Sequence, residues 1–167
     1  MAAGAVMNLY LDVDGVLSPM AHRETGDFGD WVDEEFFVWS PEMVGRLGAL
    51  EVTKFWLSTH LESANETLVP KFGWEPLGVC ARRREFLWWK LEAIERVQPF
   101  AEPFVWIDDE LDERRTKDGG IIEVMLRRYL APVLLISPNS HTGISRAQLD
   151  EIEEFVERHL EGVGADI

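Results

Sequence analysis

The sequence predicts an α/β fold in three layers, a parallel β-sheet flanked by helices on both faces. Short apolar runs at residues 6–11, 53–57, 104–107 and 132–136 alternate with segments of helical period, the pattern left by strands that crossover helices bury on both sides. Each run also stops at polar residues: Asp12, Ser58-Thr59, Asp108-Asp109 and Ser137-Pro138-Asn139. In open parallel sheets the site lies beyond the carboxyl ends of the strands, where these groups fall. A chain of 167 residues, 46% of them hydrophobic, has the size and composition of one domain with its own core, spanning 1–167.

The elements follow in order. After the first strand, residues 18–39 are rich in aromatic and acidic side chains (Phe28, Trp31, Phe36, Phe37, Trp39 with Asp27, Asp30, Asp33, Glu34, Glu35) and read as a flap. Ser40 followed by Pro41 reads as an N-cap and first-turn proline, with Met43, Val44, Leu47 and Leu50 recurring at helical spacing. The next helix is expected over 85–97, with Leu87, Leu91, Ile94 and Val97 on one face. Residues 111–120 read as a charged loop at the rim of the site, leading to a helix at 121–130. The last helix is expected over 145–160, striped by Leu149, Ile152, Val156 and Leu160. Residues 162–167 read as a frayed tail.

Composition narrows the function classes. The net charge of −15 repels polyanions at long range unless the cations gather on one face. The clusters Arg82-Arg83-Arg84, Arg114-Arg115 with Lys117, and Arg127-Arg128 read first as solvated helix flanks. The one cysteine, Cys80, has no internal disulfide partner and is expected to be buried. The amino-terminal residues have neither a basic flank nor a long apolar core, so a soluble, cytoplasmic protein without a membrane partner is expected. Trp56 and Trp106 lie in strands and are expected in the core. Trp31 and Trp39 either pack there or stack on a base or sugar.

The chemistry starts at Asp12-Val13-Asp14-Gly15-Val16-Leu17. A carboxylate at the end of a buried strand is costly, and a second one two residues later aggravates the problem, which a divalent cation remedies. With the chain turning at Gly15, the two side chains diverge, one toward a metal and the other toward a leaving group. An aspartate can attack phosphorus, and a neighbouring carboxyl group can protonate the leaving oxygen and then activate water.

This hexapeptide resembles the first motif of the haloacid dehalogenase superfamily of hydrolases, Asp-x-Asp-Gly after an apolar strand. Ser58-Thr59 resembles its second motif, Lys90 its third, and Asp108-Asp109 after Phe104-Val105-Trp106-Ile107 its fourth, all in the right order. The resemblance implies a Rossmann-like fold and a Mg2+-dependent phosphatase. Asp12 would be the nucleophile and Asp14 the general acid/base. Ser58, with Thr59 for orientation or packing, would hold the phosphoryl group beside Gly15, and Lys90 would stand between the phosphate and Asp12. Asp12, Asp14, Asp108 and Asp109 would surround the magnesium. For the third motif, Arg82, Arg83 or Arg84 is the alternative to Lys90, and Asp112 is an alternative metal-side acid. His60, Glu62 and His22 are further candidates for substrate contact.

The intervals 14–58 and 59–90 leave no room for a large inserted domain, which resembles the capless or minimally capped phosphatases. The fuller arrangement, with Leu134-Leu135-Ile136-Ser137-Pro138-Asn139 and then Thr142-Gly143-Ile144-Ser145, resembles small bacterial dehalogenase-type domains associated with RNA-repair proteins. The substrate is then either a small phosphorylated metabolite or nucleotide, or a nucleic-acid terminus, and nothing indicates a protein partner. Two other classes compete. A receiver-like phosphoacceptor carries its acidic groups differently and has no use for Asp14, and a catalytically silent or partner-dependent binding module has no use for an intact acid set.

Overall fold

The computed structural model describes residues 6–20, 26–34, 37–83, 88–117 and 120–161. The chain runs β1 (Asn8–Leu11), β2 (Val32–Glu34), β3 (Phe37–Trp39), α1 (Pro41–Gly48), β4 (Thr53–Trp56), α2 (Ser63–Thr67), α3 (Val69–Phe72), β5 (Gly78–Val79), α4 (Trp89–Val97), β6 (Phe104–Ile107), α5 (Leu111–Lys117), α6 (Ile121–Leu126), β7 (Val133–Ile136) and α7 (Arg146–Glu161).

Five strands form one parallel sheet in the order β5-β4-β1-β6-β7, with Leu11 level with Trp56 on one side and Ile107 on the other. The chain builds outward from the central β1 to β4 and β5, then crosses back to lay down β6 and β7. The winding therefore reverses between β1 and β6, and at such a switch point a crevice opens beyond the strand ends.

The two faces of the sheet carry separate cores. Leu9, Leu11, Val105 and Ile107 pack with Met43 and Leu47 of α1 and with Leu149 and Ile152 of α7. Tyr10, Phe104 and Trp106 point the other way, onto Leu91 and Ile94 of α4 and onto Leu111, Ile122 and Met125. This alternation along β1 and β6 is the two-residue period of strands covered on both faces. Each fully buried large side chain contributes roughly 1.5–3 kcal/mol by leaving water, so the seven strand residues named here form a large share of the stabilising burial. Cys80, Trp56 and Trp106 are buried, as expected.

Helix α1 starts as its sequence predicts, with Ser40 Oγ accepting from Met43 N at 3.1 Å and Pro41 in the first turn. Asp30 adds to this start, accepting from Ser40 Oγ and from Glu42 N. The acidic, aromatic segment before it contains the antiparallel pair β2 and β3, apart from the main sheet. Its described aromatic residues Phe28, Trp31, Phe37 and Trp39 pack on the body of the protein. Trp39 is buried, with its ring 5.0 Å from that of Phe72, and Trp31 lies edge-on to the buried Phe28. Packing, rather than an exposed stacking platform, is what these two tryptophans provide.

Several boundaries and elements differ from expectation. Residues 111–117 are helical rather than a loop. Acids at Asp112 and Glu113 and bases at Arg114, Arg115 and Lys117 suit the helix dipole, and Glu113 pairs with Lys117 one turn on, but with only Leu111 buried no apolar period reveals the helix. The helix expected to reach residue 130 ends at Leu126, and Leu130 is exposed. Val97, placed on the apolar face of α4, is 41% exposed at the helix end. The short elements α2, α3 and β5 carry too few residues to show a period. His22, Phe36, Arg84, Leu87 and the tail at 162–167 lie outside the described residues.

Candidate active site

Three carboxylates meet where β1 and β6 end. Asp12 stays in the ladder, with its N–H donating to Ile107 O at 3.1 Å, and Asp108 does the same one strand further, donating to Ile136 O at 3.0 Å. The strands therefore deliver both side chains to the switch point. One oxygen each from Asp12, Asp108 and Asp109 lies within 4.8 Å of the others. Asp108 is fully buried and Asp12 nearly so. Burial, reinforced by the charge of Asp12, pushes the Asp108 carboxyl up to about 7 and that of Asp109 up to about 6. The set is all oxygen and overcharged with anions, which is what a hard divalent cation such as magnesium neutralises, so these residues fit such an ion.

A cation is already present in the chain. The first turn of α4 carries Lys90 into the core, 3% exposed, where its ammonium donates to Asp12 Oδ2 at 2.8 Å and to Asp108 Oδ2 at 2.5 Å. Burial alone would lower its pKa, but the two carboxylates raise it overall, so the ammonium stays charged. The rings of Trp88 and Trp89, centred 5.9 and 6.0 Å from Lys90 Nζ, form its apolar wall. The structure thus brings Lys90 to Asp12, whereas Arg82 and Arg83 are exposed. Arg82 lies 5.8 Å from the Trp89 ring and Arg114 5.1 Å from that of Trp88, putting a guanidinium over each of the same two rings.

The loop after Asp12 is fixed by a glycine. Gly15 has φ +74°, and a Cβ there would fall 2.5 Å from Asp109 Oδ2, so the backbone conformation and the close approach of that carboxylate both require glycine. Ile144 N donates to Val16 O at 3.0 Å, and Gly143 approaches the same carbonyl so closely that a Cβ would sit 2.6 Å from it. The segment 137–143 is thereby a brace for this loop.

Asp14 stands apart. Its carboxylate is not in the three-acid cluster, so the structure does not group its side chain with Asp12, Asp108 and Asp109. Buried Val13 separates the two acids, and the Asp14 side chain, 60% exposed, pairs with His60 Nε2 at 2.9 Å. Ser58 follows β4, where Leu57 N donates to Leu11 O and keeps this strand beside β1. Its hydroxyl is buried and accepts from His60 N at 3.2 Å. Thr59 is exposed, which leaves orientation rather than packing of the two roles expected for it. Glu62 precedes α2 at the surface, and Asp112 is exposed on α5.

The contact between His60 and Asp14 is the feature sequence reasoning did not find. The residues are 46 apart along the chain, and the only signal was that His60 follows Ser58-Thr59 at a strand end. A cavity of about 490 Å³ lies elsewhere, among Thr53, Lys54, Trp74 and Gly78 at the opposite ends of β4 and β5. Lys54 there already donates to Leu50 O, and among the described residues the carboxylate cluster lies at the switch point instead, which makes the switch point the better chemical site.

Compared with protein-family models, curated proteins and solved structures, the chain gives no match. No described helix is long and apolar enough to cross a membrane.

Proposed function

We propose that this chain is a magnesium-dependent phosphate monoester hydrolase of the haloacid dehalogenase type, working through an aspartyl-phosphate on Asp12. The observation that carries this reading is the grouping of Asp12, Asp108 and Asp109 around one point at the switch of the sheet, with the Lys90 ammonium bonded to two of them and Asp14 outside the cluster. A structural acid cluster has no need of a second carboxylate held at the surface two residues from the first.

Each residue then has a task. An Asp12 carboxylate oxygen attacks phosphorus, a P–O bond forms, and the bond from phosphorus to the leaving oxygen breaks as Asp14 gives that oxygen its proton. Asp14 next takes a proton from water, which attacks the same phosphorus and releases inorganic phosphate and the Asp12 carboxylate. Lys90 offsets the repulsion between nucleophile and phosphate, and Ser58 donates its hydroxyl to a phosphoryl oxygen. Asp12, Asp108 and Asp109 are the residues that would hold magnesium, and it would supply positive charge where the anions converge. Gly15 leaves room for Asp109 to join them.

The short β2–β3 pair and the absence of a large insertion among the described residues support an open site of the minimally capped kind. The guanidiniums of Arg82 and Arg114 beside Lys90 favour substrates with negative charge beyond the reacting phosphate, either a phosphorylated metabolite or nucleotide or a nucleic-acid end.

Phosphate release from an aryl phosphate, nucleotides, sugar phosphates and 3′- or 5′-phosphorylated oligonucleotides, with and without magnesium, tests the reading. Metal-dependent release that Asp12→Asn abolishes is expected. Silence of the wild type across the panel would favour a binding module.

A further inference from the structure

We infer that His60 is a positioning residue for Asp14, an inference that rests on the hydrolase reading above. Among the described residues His60 is the side chain that hydrogen-bonds the Asp14 carboxylate, Nε2 to Oδ2 at 2.9 Å. With the Asp14 side chain 60% exposed, packing alone does not confine it to one rotamer. A general acid must keep one oxygen within hydrogen-bond reach of the leaving oxygen. With Nε2–H donating to Oδ2, Oδ1 is left to carry and return the proton.

The imidazole is itself held. His60 N donates to Ser58 Oγ at 3.2 Å, and His60 O accepts from Ser63 N at 3.1 Å and from Ser63 Oγ at 2.5 Å. Leu61, the next residue, has φ +49°, the one described non-glycine residue in the left-handed region. That conformation is unfavourable for a leucine and persists where surrounding bonds over-determine it. Here Leu61 N donates to Ser58 O at 3.2 Å and closes the turn, so the strained backbone aims His60 back across the crevice toward the β1 loop. One residue thereby links the hydroxyl proposed to hold the phosphoryl group with the carboxyl proposed to serve the leaving group. That link matters when the leaving group is a poor one. An alkoxide must be protonated as it departs, whereas a nitro-activated phenolate leaves without help.

The experiment compares wild type, His60→Ala, His60→Gln and Asp14→Asn on a nitro-activated aryl phosphate and on a simple alkyl phosphate. His60→Ala is expected to lower kcat/KM on the alkyl ester about 10-fold or more while leaving kcat/KM on the aryl ester within about 2-fold, because kcat/KM reports the steps through leaving-group departure and not the later hydrolysis that both esters share. His60→Gln, whose amide N–H reaches a similar point, is expected to restore most of the loss. Equal losses on both esters, or no loss on either, would overturn the inference.

A second measurement does not depend on turnover. The imidazole 15N resonances of His60, assigned by their loss in His60→Gln, are expected to move in Asp14→Asn at fixed pH, and unmoved resonances would refute the pairing. A wild type silent on every ester, with His60 still responding to Asp14→Asn, would strike down the hydrolase reading and with it the positioning role, but not the contact.

Discussion

The Lys90 ammonium lies 2.8 Å from Asp12 Oδ2 although 78 residues separate the two along the chain. The fold brings a helix start and a strand end together so that a nearly buried carboxylate has a buried counter-charge. Lys90→Met removes that charge and leaves Asp12 and the fully buried Asp108 facing each other. Stability should fall by about 3 kcal/mol at neutral pH, measured by urea unfolding. The loss should shrink as the pH falls below about 7 and Asp108 takes up a proton, and be smallest near pH 5. Turnover should fall at least about 100-fold, and Lys90→Arg should not restore it, because a planar fork cannot replace a compact ammonium between two carboxylates.

Metal-free stability should depend on pH through Asp108 and Asp109. Their pKa values rise from 3.8 in the unfolded chain to about 7 and about 6 in the folded protein, so the folded state binds these protons more tightly. Their contribution is most favourable below the unfolded value and is lost as the pH climbs from about 4 to about 7. A divalent cation held by the ionised carboxylates would reverse that loss. Saturating magnesium should raise the melting temperature by roughly 5–10 °C at pH 8 and by little at pH 5, and Asp108→Asn should abolish the difference in a thermal-shift titration.

Gly15→Ala should damage the site more than the fold. A positive φ in alanine costs about 1–3 kcal/mol, and the new methyl group displaces the Asp109 carboxylate. The expected result is a modest fall in melting temperature with a large rise in the magnesium concentration needed for half-maximal activity.

Much of the architecture was legible in the sequence because buried parallel strands are short apolar runs and because this chain ends each run on a polar group. Asp12, Ser58 and Asp108 follow their strands as expected, and Lys90 reaches Asp12 as a general reading of its helix could not have shown. The rest lay in elements without a period. Helix α5 buries only Leu111, and β5 is two residues long. The tryptophans of the flap region were ambiguous because a ring that packs and a ring that stacks on a ligand have the same composition signal. The partnership of His60 with Asp14 depends on how two loops approach each other, which no local pattern encodes.

Arg82 and Arg114 should affect substrates unequally. Replacing either by alanine should raise KM about 3-fold or more for a substrate with a second phosphate and leave a singly charged aryl phosphate unchanged, with the contrast fading as salt screens exposed charges. Steady-state kinetics at two ionic strengths would show it.

The claim on which the rest depends is that Asp12 carries the phosphoryl group. Intact-mass analysis of Asp14→Asn, acid-quenched during turnover of an aryl phosphate with magnesium and followed by peptide mapping, tests it most directly. An added phosphoryl group is expected on the peptide containing Asp12, absent in Asp12→Asn/Asp14→Asn and absent without metal. Steady turnover with no adduct, or an adduct that survives the loss of Asp12, would contradict it.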